Sequence, residues 1–282
     1  MIKDMVSVID EITKNIKNNM DVAVLGLSGG VDSTVCACLL VKALGSENVH
    51  TLHMPYNEVD TDTPLKFNSN SMRIAQELKT PAHWKPIKKI ADAINSEVYG
   101  EFTHSSVPPL TSVNEGNARA RARMAVLYGT AHNLETNLGK RVRVVGTGNL
   151  SEDFIGYDTK GGDALADLFI IGSLFKSEVY QLADHFVTEG MIKEDMVDRV
   201  PSAGLWEGQT DEDELGFSYN DMEPIIKEFL KLGNRLYIKE LLNDRCIELL
   251  NTDIGKFVYD MHLKNKHKHE APAVVNLREF TD

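Results

Sequence analysis

Apolar positions along the chain change their period several times, and each change predicts an element. Met5, Ile9, Ile12 and Ile16 recur at helical spacing and predict an amphipathic first helix. Val22-Ala23-Val24-Leu25-Gly26-Leu27 is an unbroken apolar run, the pattern of a strand buried on both faces of a parallel sheet. The segment 34–44 is an apolar helix stopped by Gly45. Further strands are predicted at 49–54, closed by Pro55, near 82–87, and at 141–147. Helices are predicted over about 64–78, 91–98 and 117–133. After Gly148 the pattern breaks: 151–167 reads as a polar loop, 174–187 as a helix, and 201–213 as a second loop. From Tyr219 the chain reads as helical, with a polar tail from Asn265.

Strands alternating with helices predict an α/β protein, a doubly wound parallel sheet with a helical C-terminal region. The expected organisation is a single domain over 1–282, with a nucleotide-binding core to about 215 and a helical extension from about 216. Ligands bind such sheets at the carboxyl ends of strands. The turns after the strands at 22–27 and 141–147 both lie there, so the two are expected to share one site.

The first of these turns is Ser28-Gly29-Gly30-Val31-Asp32-Ser33. Two glycines let the backbone approach a ligand closely and aim N–H groups into a concavity, and the following helix start favours an anion. Asp32 would repel a phosphate unless a divalent cation bridged the two, as Mg²⁺ does through one or two carboxylates and phosphate oxygens. The string lacks the Gly-Lys-Ser/Thr ending of a Walker loop. The plainer alternative is a glycine-bearing turn with an Asp/Ser helix cap.

Composition narrows the classes. The 282 residues carry a formal net charge of −12, which argues against general nucleic-acid binding. No apolar run approaches the roughly 20 residues of a membrane span, and charges interrupt the N-terminus, so no signal peptide is read there. Three cysteines, Cys36, Cys38 and Cys246, have no metal-type spacing, and the expectation is buried free thiols in a cytoplasmic protein.

Other polar residues each admit two readings. Arg119 and Arg123 share a helix face and Arg121 points away, so the three arginines cannot grip one ligand. Glu152 is either a loop acid or a partner for Asp32 at a metal. Lys176 stands in the first turn of a helix, where the dipole disfavours a cation; it is either an exposed lysine or one held by a bound phosphate. His267-Lys268-His269 fits no metal spacing and reads as a solvated tail or an anion contact. The acidic run 211–214 reads as a helix N-terminal cluster.

Taken together these segments resemble a family. Ser28 to Ser33 is similar to the Ser-Gly-Gly-x-Asp-Ser loop of the ATP pyrophosphatases, which split ATP between the α- and β-phosphates and share an adenine nucleotide alpha hydrolase-like (PP-loop) fold. Within that group the chain resembles ammonia-dependent NAD synthetase. The likeness runs through 116–124, 145–152, 160–163, Lys176, 201–205 and 209–216, in the family's order and over nearly the whole chain.

The resemblance implies a ligase that amidates deamido-NAD through an acyl-adenylate. It implies that Gly26, Leu27, Ser28, Gly29, Gly30, Val31, Asp32 and Ser33 cradle ATP. Asp32 and Glu152 would hold Mg²⁺. Thr147, Lys176 and Ser202 would contact ATP, and Asp32, Glu152 and Lys176 would carry the chemistry. Arg121, Lys160, Asp167, His267 and Lys268 would contact deamido-NAD. A homodimer with the dinucleotide at the subunit boundary is also implied. The chain departs from many members at Gly148-Asn149 (often Asp-His), at Ala164-Leu165 (often Gly-Gly) and at Ser202 (often Thr).

Three competing readings stand beside this one. A GMP synthetase subunit should end in strands, and this C-terminus reads helical. A tRNA-thiolating enzyme normally needs a reactive cysteine pair, and none is suitably spaced. A non-catalytic nucleotide binder would not need both Asp32 and Glu152. The length leaves no room for a glutaminase domain, so free ammonia is the expected nitrogen donor.

Overall fold

Five parallel strands form one sheet in the order β3-β2-β1-β4-β5. They are β1 (Val22–Gly26), β2 (Val49–His53), β3 (Ala82–Trp84), β4 (Val142–Gly146) and β5 (Leu168–Phe169). The computed structural model describes residues 1–56, 69–99, 111–198, 211–237, 241–271 and 274–275. β1 is central, with Leu25 opposite Thr51 on one side and Val145 on the other, which is why its sequence is apolar without alternation. The four predicted strands are present, and β5 is an addition. Two residues after a polar stretch carry no periodicity, so nothing in the pattern announced it.

The helices lie on both faces. On one, α1 (Met5–Asn19), α2 (Val31–Leu44) and α7 (Lys176–Thr188) bury Ile9, Ile16, Val35, Leu39, Leu182 and Phe186. On the other, α4 (Lys88–Tyr99) and α5 (Ser112–Leu138) bury Ala91, Leu127 and Ala131 against Val22, Val24 and Leu52. α3 (Asn70–Glu77) covers the β2 side; the part of its expected range before Ser69 lies outside the described residues. Gly45 stops α2 at φ +82, as its position predicts.

The expected loop at 151–167 is corrected. It opens with a helix, α6 (Leu150–Ile155), capped by Asn149 and closed by Gly156 in the left-handed region at φ +64. The acidic run, read as a helix N-terminal cluster, is the first turn of α8 (Asp211–Leu215), so the second expected loop ends before 211; 201–210 lie outside the described residues. The C-terminal helices are α9 (Tyr219–Leu230), α10 (Asp244–Leu250) and α11 (Asp253–Asn265). They form a second core around Met222, Ile226, Phe229 and Val258, which also takes in Phe154, Ile155 and Phe175 from beside the sheet. No helix among the described residues is long and apolar enough to cross a membrane.

Candidate active site

The chain leaves β1 toward β2 and β3 on one side, while β4 and β5 lie on the other. The crevice between the ends of β1 and β4 is therefore the point where strand order reverses, where open α/β sheets place their ligands. The turns carrying Asp32 and Glu152 both start there.

After Gly26, Leu27 is buried and donates its N–H to the Leu52 carbonyl at 3.0 Å, so the chain leaves the sheet only beyond it. Gly29 turns the chain at φ +87, and a Cβ there would lie 2.9 Å from the Ser71 backbone nitrogen. Asn70 donates to the Gly29 carbonyl at 2.7 Å and fixes the turn from the α3 side. Gly30 caps α2, and the N–H groups of Val31, Asp32 and Ser33 precede its first intrahelical bond, from Thr34 to Gly30. The Ser28 and Ser33 hydroxyls meet at 3.0 Å, with Ser28 exposed. Hydroxyls and helix-start N–H groups are thus gathered in one turn, donors of the kind phosphate oxygens take. Thr147 stands half-buried just past β4, and Ser202 lies outside the described residues.

Three charged side chains meet beside this turn. Lys176 Nζ donates to Asp32 Oδ2 at 2.6 Å and to Glu152 Oε1 at 2.8 Å. Lys176 is only 4% exposed, so it is not a surface lysine on a helix start. Burial alone would push its ammonium pKa down; the carboxylates of Glu152 and Asp32 more than reverse this and hold it above the usual lysine range. Burial pushes the Glu152 carboxyl up, against the pull of Lys176 and with the like charge of Asp32 adding to the rise. With both carboxyls ionised the cluster carries a net charge of −1, and the raised Glu152 pKa expresses the cost of that state. A further cation is the natural remedy, and the two carboxylate oxygens that already converge on one cation are hard donors of the kind a divalent ion takes.

Asn149 is the residue that sequence reasoning passed over. It is fully buried; its Nδ2 donates to Asp32 Oδ1 at 2.9 Å, and its Oδ1 accepts from the N–H groups of Ser151 at 3.1 Å and Glu152 at 3.2 Å. One amide thus orients both acids, Asp32 directly and Glu152 through the helix that carries it. The signal was available: Asn-x-x-Glu at 149–152 is a helix-start pattern. Behind it, Gly146 admits no side chain, because a Cβ would sit 2.4 Å from the Phe169 ring.

A second group lies on the loop after α6. Arg121 Nε donates to the Lys160 carbonyl at 3.2 Å, and Lys160 Nζ donates to the His267 carbonyl at 2.5 Å. Lys268 Nζ donates to the carbonyls of Gly156 and Asp158, each at 2.7 Å. Arg121, Lys160, His267 and Lys268 are therefore brought together. Asp167 stands apart: it accepts from the Val144 N–H at 2.8 Å and from the Tyr128 hydroxyl at 3.2 Å, tying the entry of β5 to β4 and α5. Of the two readings of the tail, solvated or an anion contact, the first is corrected and His269 fits the second. His269 pairs with Asp158 at 2.8 Å, and Asn265 is buried with its amide on the Ile155 carbonyl, so 265–269 is docked against the loop.

The helical arginines sort as the spacing predicts. Arg121 is exposed, Arg123 is directed to the Met54 carbonyl at 3.2 Å, and Arg119 stacks 3.7 Å over the Tyr56 ring. All three cysteines are buried free thiols; burial raises the Cys38 pKa to about 12 and holds Cys36 well above the usual range, so neither is a nucleophile.

A glycine-bearing turn suited to phosphate but without a Walker lysine, two carboxylates on one cation, and a parallel sheet whose order reverses between them fit a class: a nucleotide-using α/β enzyme with a PP-loop fold. Comparison with known proteins carries this further. Residues 1–272 match the family NAD synthase. The NH(3)-dependent NAD(+) synthetase of Methanocaldococcus jannaschii is 35% identical over 277 residues, covering 96% of each chain. Among solved structures, NMN synthetase from Francisella tularensis superposes with a TM-score of 0.73 at 26% identity, covering 98% of this chain and 100% of that one. The NH3-dependent NAD synthetase from Campylobacter jejuni gives 0.69 at 26% identity, covering 97% and 100%. The chain belongs to the NAD synthase family, and it is an enzyme, a ligase.

Proposed function

We propose that this chain makes NAD from deamido-NAD, ATP and ammonia, with AMP and pyrophosphate as the other products, and that Asp32, Glu152 and Lys176 carry the chemistry. The activity is that of its curated relatives, which are ammonia-dependent. The observation that carries the residue assignment is the meeting of both carboxylates on the Lys176 ammonium beside the phosphate turn.

In the first step the nicotinate carboxylate attacks the α-phosphorus of ATP and pyrophosphate leaves; in the second, ammonia attacks the acyl-adenylate and AMP leaves. The first step brings anions together, so neutralising charge is the protein's main task. The turn from Gly26 to Ser33 supplies N–H and hydroxyl donors for the phosphates, with Thr147 and Ser202 assigned to the same nucleotide. Among the described residues, two of the three Lys176 N–H groups are taken by carboxylates, which leaves one for a phosphate oxygen. Asp32 and Glu152 fit Mg²⁺ in donor type and in convergence, and would hold it. Bound there, it would supply Lewis-acid neutralisation of the phosphate charge. The loop pinned by Lys160 and Lys268 is assigned to the dinucleotide, with Arg121, Asp167 and His267, and to sheltering the adenylate from water.

The whole chain is proposed to act as one domain, the helical part from about 216 sharing a core with α6 and Phe175. A cytoplasmic homodimer is also proposed. It is supported by the free thiols and by Ile90, Val98 and Val113, apolar and exposed on α4 and the start of α5. Light scattering should then give twice 31.4 kDa.

The test is incubation with ATP, Mg²⁺, ammonium and deamido-NAD, following AMP, pyrophosphate and NAD together. The expected result is equal formation of all three, abolished in Asp32→Ala. Formation of NMN in preference to NAD, from the corresponding nicotinate mononucleotide, would move the product assignment to the one in the name of the Francisella neighbour, an NMN synthetase. Turnover with glutamine and no ammonium would overturn the choice of donor.

A further inference from the structure

Glu223, on α9, is a buried carboxylate outside the machinery described above, 3% exposed. It accepts hydrogen bonds from the starts of two helices. Its Oε1 takes the Ser151 hydroxyl at 3.0 Å and the Ser177 N–H at 3.0 Å, and its Oε2 takes the Ser177 hydroxyl at 2.5 Å. The Ser151 hydroxyl in turn accepts from the Lys176 N–H at 3.0 Å. Ser151 immediately precedes Glu152, and Ser177 immediately follows Lys176. One side chain from the C-terminal helices therefore grips the Ser151 hydroxyl on one side of the ion pair and the Ser177 N–H and hydroxyl on the other.

The physical logic is specific. The first N–H groups of a helix have no partner inside it, and here those of Lys176 and Ser177 are satisfied from outside. The helix start is electropositive, and Lys176 adds a cation to it, so an anion lodged at that point offsets both. Glu178 reinforces the same end by accepting from the Phe175 N–H at 3.0 Å. Buried carboxylates are costly unless fully hydrogen-bonded, and this one has three donors. The contact joins residues 72 and 46 positions apart in sequence, so it sets the spacing of α6 and α7 from a third element.

We infer that Glu223 is a positioning residue for the amidation reaction, holding α6 and α7 at the separation that lets Glu152 and Lys176 meet. The inference rests on the proposed function for its meaning in turnover, but its geometry can be read without turnover. A displacement of about 1 Å at a reacting group costs on the order of 100-fold in rate. Glu223→Gln keeps the size but presents an amide N–H₂ to a donor, so α7 should shift. Glu223→Asp keeps the charge.

The experiment uses the full chain, in wild type and in both variants, with two readouts. Steady-state kinetics should show kcat falling by roughly 10- to 100-fold in Glu223→Gln with KM for ATP little changed, and Glu223→Asp retaining more of kcat. Acetic anhydride labelling followed by mass spectrometry should show Lys176 acetylated several-fold faster in Glu223→Gln, with Lys42, paired to Glu189, unaltered. Wild-type kcat and unchanged Lys176 labelling in a folded Gln variant would overturn the inference. So would equal acceleration at Lys176 and Lys42, which reports general loosening, or lost activity with Lys176 labelling unchanged. Failure of the wild-type chain to make NAD would sink the reaction assignment instead, and the labelling would still decide the positioning.

Discussion

Asp32 has three neighbours with three different tasks: the phosphate turn it belongs to, the Asn149 amide and the Lys176 ammonium. Replacing it by Asn removes a charge that the lysine uses and that the proposed reaction needs. The rate of AMP formation should fall roughly 100- to 1,000-fold, the scale of losing one preorganised electrostatic group. Stability should fall by less than the ~3–5 kcal/mol of an orphaned buried ion, because Glu152 still pairs with Lys176. Asn149 offers a cleaner separation. Asn149→Ala removes the cap of α6, costing about 1 kcal/mol in denaturant unfolding, and also releases Asp32. Asn149→Ser keeps a cap oxygen but is too short to reach Asp32, so near-normal stability with reduced kcat is expected. If the two variants lose stability and activity in parallel, the amide is structural only.

At the scale of elements, glycines separate two kinds of helix. Gly156 ends α6 in the left-handed region, and a Cβ there would stand 2.2 Å from the Asn265 Cβ. Gly156→Ala should cost on the order of 1–3 kcal/mol and undock α11, visible as a lowered melting temperature. Gly129 lies inside α5, and a Cβ added there would meet nothing within 4 Å, so Gly129→Ala should add about 0.4–1 kcal/mol and raise the melting temperature. The same contrast explains what was legible beforehand. β1, the phosphate turn and α2 are written in adjacent residues, and the strand–turn–helix pattern there is unambiguous. α6 was hidden because a short helix between a strand end and a glycine has no room for a periodic apolar face. β5 was hidden for a similar reason. Glu223 could not be found at all from sequence, since a lone acid on an amphipathic helix says nothing about partners 46 and 72 positions away.

The whole molecule joins a sheet-based half to a helical half, and the join includes the loop after α6. Across that join, His269 pairs with Asp158; the bond to Asp158 raises its pKa above the ordinary 6.5, against partial burial, with Asp158 and Asp153 charges adding and Lys268 opposing. A histidine whose folded pKa is raised contributes stability that is complete below its unfolded pKa and is lost as pH rises through the folded one. The tail should therefore be held most firmly below about pH 6.5 and loosen at higher pH. Amide hydrogen exchange over 265–271, followed from pH 6 to 9 and corrected for intrinsic rates, should show protection falling in wild type and little pH dependence in His269→Gln. Equal profiles would remove the histidine from the join.

Lys268 closes the same join in another manner. Its two hydrogen-bond acceptors are main-chain oxygens, those of Gly156 and Asp158, and its ammonium also lies 3.7 Å from the Asp158 carboxylate. A clasp that grips peptide groups is indifferent to most of the side chains it spans. Side chains of the loop outside these contacts, such as the exposed Leu165, can be exchanged, by evolution or by library selection, without unfastening the tail, whereas Asp158 and Lys160 cannot. Under the proposed assignment of this loop to the dinucleotide, selectivity for the molecule being amidated can change at such positions while the closure stays the same.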